Sequence, residues 1–194
     1  MSLQEQVYSV LIVSAKDTFN ASLQALLPDS RFSPIRFENS INAAKRTFLE
    51  RTYDFVIINS PLPDDDGMRF SIDICSTNTT VALLMIHSEN YTAAYNKVTG
   101  HGVYVLPKPT AKLLVSQAID WMIASRERLR RLEKKTVSIE EKMQEIRTVN
   151  RAKWLLIEHL KMTEADAHRY VEKQAMDRCV SKKEIAEDII KTYT

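Results

Sequence analysis

The pattern of apolar residues divides the chain at about residue 110. Before that point, short apolar runs alternate with stretches of helical spacing. Such runs predict strands, because strands buried on both faces form nearly continuous apolar segments. Five strands are predicted, at 8–13, 34–37, 55–58, 81–86 and 103–106. A helix through Phe19 to Leu27, ended by Pro28, and a second over 40–49 lie between them. The alternation predicts an α/β fold, doubly wound around a five-stranded parallel sheet.

After residue 110 the pattern is helical throughout. The last proline is Pro109 and no glycine follows Gly102, so helix breakers are absent from 85 residues. Thr110 is expected to cap a helix that starts at Ala111 and continues to about residue 161. Thr163 and Ser181 each precede a carboxylate three residues later, which is typical of helix N-termini. Two further helices are therefore predicted over 164–178 and 182–191.

Within the long helix, apolar residues recur at alternating steps of three and four, as in a heptad seam. Polar residues also occupy seam positions, at Thr136, Asn150 and Lys153. Long, charged helices gain their stability from packing, which favours a parallel coiled-coil homodimer. A helix folded back on its own domains is the alternative. The apolar seam residues are Leu129, Leu132, Ile139, Met143 and Ile146.

Composition and motifs exclude several classes of function. No glycine-rich phosphate loop occurs, and the four histidines lack metal-binding spacing. Cys75 and Cys179 form no spaced pattern and are expected to be free thiols. No run approaches the ~18 apolar residues of a membrane span, and no secretory signal is recognisable, so a cytoplasmic location is expected. No nucleophile–base pair stands out; we expect no enzyme activity, no metal and no cofactor.

Both halves resemble known families. The first half is similar to a response-regulator receiver domain of flavodoxin-like fold, through its element order, Pro61, Asp66-Gly67 and Lys108-Pro109. The second half resembles the three-helix ANTAR domain of transcription antiterminators. The resemblance places the receiver at 1–120, a coiled-coil linker at 121–141 and the ANTAR domain at 142–194. The matching ANTAR residues are Arg147, Val149, Ala152-Lys153, Leu155-Leu156, Ala167, Ala175-Met176, Ile185-Ala186 and Ile189-Ile190. Trp154 replaces the usual glycine.

The resemblance implies that the receiver has lost its chemistry. It puts Asn59 at the position of the phosphoacceptor carboxylate, and an amide cannot form an acyl phosphate. Ser14 and Ala15 replace the acidic pair that holds Mg²⁺. His87 replaces the switch hydroxyl, and only Lys108 of the reactive set remains. A phosphorylation-independent pseudo-receiver is therefore expected.

Other residues allow more than one role. Asp17 is expected as the N-cap of the first helix, and the alternative is a ligand of a rescued metal site. The run 64–66 is expected to form a solvated turn that places negative charge near a helix N-terminus. Lys108 either hydrogen-bonds nearby backbone or senses an anion.

The ANTAR resemblance implies binding to RNA hairpins. From 111 to 194 there are 18 Lys and Arg against 14 Asp and Glu, while the first 110 residues hold 9 against 11. Cations suit phosphates, and aromatic side chains suit unstacked bases. Trp154 and Tyr170 are candidates for base stacking, with the helical core as the alternative. The other candidate RNA-binding residues are Arg147, Arg151, Lys153, Arg169, Lys173, Arg178, Lys182 and Lys183.

The function implied is transcription antitermination, in which a dimer binds paired hairpins of a nascent leader RNA and blocks the terminator hairpin. A sensor protein is a possible further partner. One alternative is a response regulator still controlled by phosphorylation. Another is a protein-interaction module in which the helices serve only as a dimer spacer.

Overall fold

The computed structural model describes residues 6–77 and 79–193, in two compact units, 1–130 and 131–194. The first unit alternates strands and helices: β1 Tyr8–Val13, α1 Asp17–Gln24, β2 Phe32–Glu38, α2 Ile41–Glu50, β3 Phe55–Asn59, α3 Met68–Thr77, β4 Val81–His87, α4 Tyr91–Val98 and β5 Tyr104–Lys108. Helix α5, Lys112–Leu160, begins in this unit and ends in the second, where α6 Glu164–Arg178 and α7 Lys182–Tyr193 follow.

The five strands form one parallel sheet in the order β2-β1-β3-β4-β5. Neighbouring residues of a strand point to opposite faces, so each strand contributes to two cores. Val10 and Ile12 pack with α1 and the start of α5, while Leu11 and Val13 pack with the helices α2, α3 and α4. This confirms the predicted doubly wound α/β fold.

Helix α5 covers one face of the sheet with its first turns. Val115, Ala118, Ile119 and Met122 recur at helical spacing and are buried in the first core. Leu129, one heptad after Met122, packs against the same core. The first compact unit runs to Arg130, and Leu129, expected in the seam, is partly buried against its core. The three-part division of the chain stays a prediction.

Asp54, the residue before β3, forms hydrogen bonds with both β1 and α5. No periodicity in the sequence indicates this role. Its carboxylate accepts hydrogen bonds from Ser9 N at 2.9 Å, Ser9 Oγ at 3.0 Å and Arg126 Nε at 2.8 Å. Arg130 Nη2 lies 3.4 Å from the same carboxylate. Burial acts to raise the pKa of Asp54, but the hydrogen bonds from Ser9 and Arg126 outweigh it and hold that pKa below its usual value.

The second unit is a three-helix core of small and branched residues. Ala152, Ala167, Ala175 and Ala186 are buried and allow close helix approach. Ala152 and Leu156 come from α5, and the remaining residues come from α6 and α7. Thr163 caps α6 by accepting from Asp166 N at 3.2 Å, and Ser181 caps α7 by accepting from Glu184 N at 3.2 Å. These two N-caps were predicted correctly.

Two other predicted N-caps are wrong. Lys16, not Asp17, occupies the N-cap of α1, and no side chain caps that helix. Thr110 Oγ1 is buried and makes no hydrogen bond among the described residues. The carbonyl of Ala111 instead accepts the first bonds of α5, from the N–H groups three and four residues later. In both cases the helix begins one residue away from the predicted position. The conformation of the preceding loop, and not the residue type, decides where the helix begins.

The bounds differ from prediction at β2, which runs from Phe32 to Glu38, at α1, which ends at Gln24, and at β5. Strand β5 runs from Tyr104 to Lys108 and includes Pro107, whereas Val103 precedes it. The strand sits at the edge of the sheet, where a proline that cannot donate a ladder hydrogen bond is tolerated. Helix α5 ends at Leu160, close to the predicted end. Cys75 and Cys179 are both free thiols, as expected.

Replacing Asp54 with alanine should destabilise the first unit by about 2–4 kcal/mol at pH 7, because buried donors lose their acceptor. The folded-state pKa is depressed, so this contribution is present above the unfolded pKa near 3.8 and lost as the pH falls through the folded value. The penalty should therefore shrink at pH 3.

Urea unfolding measures this effect in a Trp154→Phe background, where Trp121 is the only tryptophan and reports the first unit. Asp29→Ala removes an exposed carboxylate of the same unit and serves as control. Equal midpoints for Asp54→Ala and its parent at pH 7 would contradict the assigned role.

Candidate functional site

The first candidate site lies at the carboxyl ends of the parallel strands, the edge at which doubly wound folds bind ligands. Asn59 ends β3, Lys108 ends β5 and His87 ends β4, with His87 paired to Lys108 in the sheet register. Ser14 follows β1 directly and is buried, whereas Ala15 is exposed. The structure thus brings Asn59, Ser14 and Lys108 together as expected from the sequence.

A chain of hydrogen bonds joins these three side chains. Lys108 Nζ donates to Asn59 Oδ1 at 2.6 Å, and Asn59 Nδ2 donates to Ser14 Oγ at 2.9 Å. Lys108 Nζ also donates to the carbonyl of Ser60, and Ser14 Oγ accepts from Lys16 N at 3.2 Å. Both polar ends of the Asn59 amide are therefore used, which satisfies the buried side chain.

Lys108 is a partly buried cation, and the side chains it and Asn59 contact at this edge carry no carboxylate. Burial lowers the pKa of Lys108 to about 8, and the positive charge of Lys16 adds to this effect. Its contact with the Ser60 carbonyl matches the backbone-bonding role considered from the sequence. Ser88, beside His87, donates to the carbonyl of Lys108 at 2.8 Å.

The residues at this edge do not fit the magnesium ion that receiver chemistry requires. Mg²⁺ is held by carboxylate oxygens, and the corresponding positions carry Ser14, Ala15 and Asn59. The Asn59 oxygen, the one strong acceptor among them, faces the ammonium group of Lys108 instead. Across residues 6–77 and 79–193, no three His, Cys, Asp or Glu side chains are grouped to hold a metal.

The acidic run after β3 serves the local backbone. Asp64 accepts from Ile41 N at 3.0 Å and Asn42 N at 2.8 Å, at the N-terminus of α2. Desolvation acts to raise its pKa, but the hydrogen bonds from these amides hold the pKa of Asp64 below its usual value. The turn closes at Gly67, whose positive φ of 77° and close approach to Ile58 leave no room for a side chain. The run thus forms a turn that places negative charge at two helix N-termini, with Asp64 at α2 and Asp66 accepting from Met68 N of α3 at 2.9 Å.

The second candidate site is the surface of the three-helix unit, and its cations fall into two groups. Four of the predicted RNA-binding cations are engaged by carboxylates. The pairs are Lys153–Glu164 at 2.8 Å, Lys182–Glu172 at 2.5 Å, Arg178–Asp188 at 3.4 Å and Lys183–Glu187 at 3.9 Å. Within the described part of the chain, the other four make no ion pair: Arg147, Arg151, Arg169 and Lys173.

The two candidate stacking residues are exposed, so neither is the core residue that the alternative required. Trp154 has 69% of its surface exposed and Tyr170 has 38%. Trp154 borders a groove of about 310 Å³, together with Asn150, Lys153, Ile157 and Glu164. A large aromatic ring left in water beside a groove is typical of a binding surface.

The seam positions of α5 after residue 130 are also exposed. The apolar residues at these positions keep 49–59% of their surface in water: Leu132, Ile139, Met143 and Ile146. Four such residues on one helical stripe form an unusually long apolar surface.

Comparison with known proteins agrees with this geometry. Residues 138–190 match the family model of the ANTAR domain. The first unit resembles the signal receiver domain of an HD domain-containing protein from Pseudomonas fluorescens Pf-5, with a TM-score of 0.58, 20% identity, and coverage of 68% of this chain and 96% of that one. The chain joins a receiver fold to an ANTAR domain.

Two further proteins are similar to this chain over 62% and 72% of its length. The beryllofluoride-activated NtrC4 receiver domain dimer matches the receiver with a TM-score of 0.52 and 19% identity, over 62% of this chain and 98% of that one. The transcriptional regulatory protein PdtaR of Mycobacterium tuberculosis H37Rv is 27% identical over 140 residues, which cover 72% of this chain and 68% of that protein. No helix in the described residues is both long and apolar enough to span a bilayer.

Sequence reasoning missed the partners of the ANTAR cations. Glu164 and Glu172 neutralise Lys153 and Lys182, and hydrogen bonds from those lysines hold the pKa of each carboxyl below its usual value. Met176, 79% exposed on α6, was assigned only a family match. Glu164 comes directly after Thr163, the predicted N-cap of α6. The sequence could therefore place Glu164 in the first turn of α6, where it pairs with Lys153 of α5.

Proposed function

We propose that the protein is an RNA-binding transcription antiterminator, in which an ANTAR dimer holds hairpins of a nascent leader RNA and prevents the terminator hairpin from forming. The ANTAR match over residues 138–190 carries this proposal. The name of the PdtaR relative, a transcriptional regulatory protein, supports it. The chain performs no covalent chemistry in this mechanism, because the competing RNA structures decide the outcome.

Two helical stripes of the ANTAR domain supply the RNA contacts. Arg147, Arg151 and Trp154 lie four and three residues apart, and therefore share one face of α5. Arg169 and Lys173, also four residues apart, share a face of α6. These four unpaired cations are free to replace counterions on the phosphates. The carboxylate-paired lysines and Arg178 contribute less, since RNA must first displace their partners.

Trp154 supplies a platform for an unstacked hairpin-loop base. Its indole is exposed and borders the groove that Asn150 and Glu164 also line. Stacking on an aromatic ring favours a base without selecting its identity, and nearby amide and carboxylate groups can then hydrogen-bond to its edge. Tyr170, exposed on α6, is a second candidate platform.

The exposed seam of α5 is the dimer interface in this proposal. Leu132, Ile139, Met143 and Ile146 follow one another at steps of seven, four and three residues, and with Thr136 between the first two they have the alternating three- and four-residue spacing of a coiled coil. Their half-exposed side chains would be buried by a second copy of the same helix. A dimer carries two RNA sites, so the second hairpin of a leader binds at a raised effective concentration.

The receiver unit works without phosphorylation in this proposal. Asn59 offers an amide where an acyl phosphate would have to form, and Lys108 already occupies its oxygen. The absence of carboxylates at Ser14 and Ala15 removes the ligands that would bring in Mg²⁺. Input must therefore come from a ligand or from a protein, such as a sensor.

Replacing Arg147 and Arg151 together with glutamine should weaken binding to a two-hairpin leader RNA about tenfold or more at ~150 mM salt. It should also lower the slope of log affinity against log salt by about one to two. Fluorescence anisotropy across a salt series measures both. The matched control is Arg178→Gln with Lys182→Gln, which removes two paired cations. Equal losses in the two double variants would contradict the assigned face, and the lack of any binding by the wild type would overturn RNA binding itself.

Trp154→Ala should weaken the same RNA about ten- to a hundredfold, as expected for a lost stacking platform. Trp154→Phe should keep most of the affinity, and neither change should alter the salt slope, because no charge is removed. A Trp154→Ala protein that binds RNA like the wild type would show that the exposed indole has another use.

Ile139→Glu with Met143→Glu should convert a dimer to a monomer, because it puts like charges into the seam. Light scattering gives the mass directly. Val137→Glu is the matched control, since Val137 is equally exposed on the same helix but lies outside the seam. A wild type that is monomeric at all concentrations, or a seam variant that stays dimeric, would remove the coiled coil from the proposal.

Incubation with acetyl phosphate and Mg²⁺ should leave the intact mass unchanged. Asn59→Asp should also stay unmodified, because the ligands for Mg²⁺ remain absent. A labile adduct of about 80 Da on the wild-type protein would instead show that the receiver is a phosphorylated one. An adduct on Asn59→Asp but not on the wild type would show that the Asn59 amide alone prevents phosphorylation.

A further inference from the structure

A second feature of the receiver unit has no part in the proposed RNA binding. A cleft of about 260 Å³ lies between α1 and the segment that joins β5 to α5. Phe19, Leu23 and Leu26 of α1 form one wall, and Val115 of α5 forms the other. Met85 of β4 lines it as well. These side chains are apolar, and a cleft of this kind suits a hydrocarbon group of small size.

The polar groups of the cleft are cationic. Lys108 and Lys112 both line it, and the described residues that form its walls include no Asp or Glu. Lys108 uses two of its three N–H groups on Asn59 and Ser60, which leaves one for a ligand. Lys112 is exposed in the first turn of α5, where its charge opposes the helix dipole. Apolar walls with two ammonium groups are complementary to an amphiphilic anion.

Thr110, which also lines the cleft, adds an independent sign of a ligand. Its Oγ1 is buried and has no hydrogen-bond partner among the described residues. An unsatisfied buried hydroxyl costs free energy, and because this oxygen is shielded from solvent, a bound anion gains its hydrogen bond when the Thr110 side chain rotates toward the cleft.

We infer that this cleft binds a small amphiphilic organic acid. Its carboxylate contacts Lys108, Lys112 and the Thr110 hydroxyl, and its hydrocarbon part lies between α1 and α5. The ligand and Asn59 would then both hydrogen-bond to Lys108. Lys108 lies at the edge of the sheet where receiver domains are phosphorylated. It would give the receiver unit a chemical input that needs no phosphoryl group.

The test uses the full chain and octanoate as the probe, with octanamide as its neutral counterpart. Saturation-transfer NMR and the methyl signal of Met85 detect binding and give the affinity. Octanoate should bind saturably at millimolar concentration or below, and octanamide should bind at least about tenfold more weakly. Binding requires no RNA, so this test can fail while RNA binding stands, and the converse also holds.

Two variants locate the site. Ser22→Phe places a ring over the cleft from an exposed position of α1 and should abolish binding. Lys112→Gln removes one exposed charge and should weaken octanoate about three- to tenfold without affecting octanamide. Lys97→Gln, an exposed lysine on α4, should change nothing. Thermal unfolding checks that each variant is folded. If Ser22→Phe does not fold, the octanoate affinity of Lys112→Gln alone tests the location of the site.

The inference is overturned by three results. The first is no saturable binding of octanoate, and the second is equal affinity for octanoate and octanamide. The third is unchanged octanoate binding in the folded variants Ser22→Phe and Lys112→Gln, which would place the probe elsewhere on the protein.

Discussion

Helix α5 contributes side chains to both hydrophobic cores, and each unit depends on it. Its first turns bury Val115, Ala118 and Met122 against the sheet, and its last turns bury Ala152 and Leu156 against α6 and α7. Between Leu129 and Val149 no residue of the helix belongs to either core among the described residues, yet the helix keeps an apolar stripe. A stretch of helix without a core is stable when something else covers its stripe. The exposed apolar stripe requires a covering partner, and this requirement supports the coiled-coil proposal more directly than the heptad pattern does.

At the edge of the sheet, the Asn59 amide joins two neighbouring side chains through hydrogen bonds. Asn59 both accepts, from Lys108, and donates, to Ser14. A carboxylate at this position could accept from Lys108 but could not donate to Ser14. The amide therefore links a cation to a hydroxyl in a closed arrangement, with no acceptor left over for a metal ion. The charged side chains that line the neighbouring cleft, Lys108 and Lys112, are both cationic, which is the basis for the anion proposed there.

The sequence predicts the elements whose signal is local. Strand β1 is predicted to the residue, and the Thr163 and Ser181 caps are correct because a hydroxyl and a carboxylate three residues apart define them. Helices α3 and α4 were not located, since each is short and only partly apolar on its buried face. Asp54 was missed for a different reason. Its partners, Ser9 and Arg126, lie 45 and 72 residues away, and no periodicity records a hydrogen bond across such distances.

The same limit applies to charge, and there it alters the functional argument. The excess of Lys and Arg after residue 110 is by itself a modest signal for a binding surface, because a count does not separate paired from unpaired cations. In the folded ANTAR domain a helix neighbour brings Glu164 to Lys153 and Glu172 to Lys182, so those cations hold local partners. A paired cation gains less from a phosphate, because one ion pair is exchanged for another. The unpaired positive charge is therefore less than the composition implies, and the part of it on α5 lies at Arg147 and Arg151, on the face that the proposed RNA contacts use.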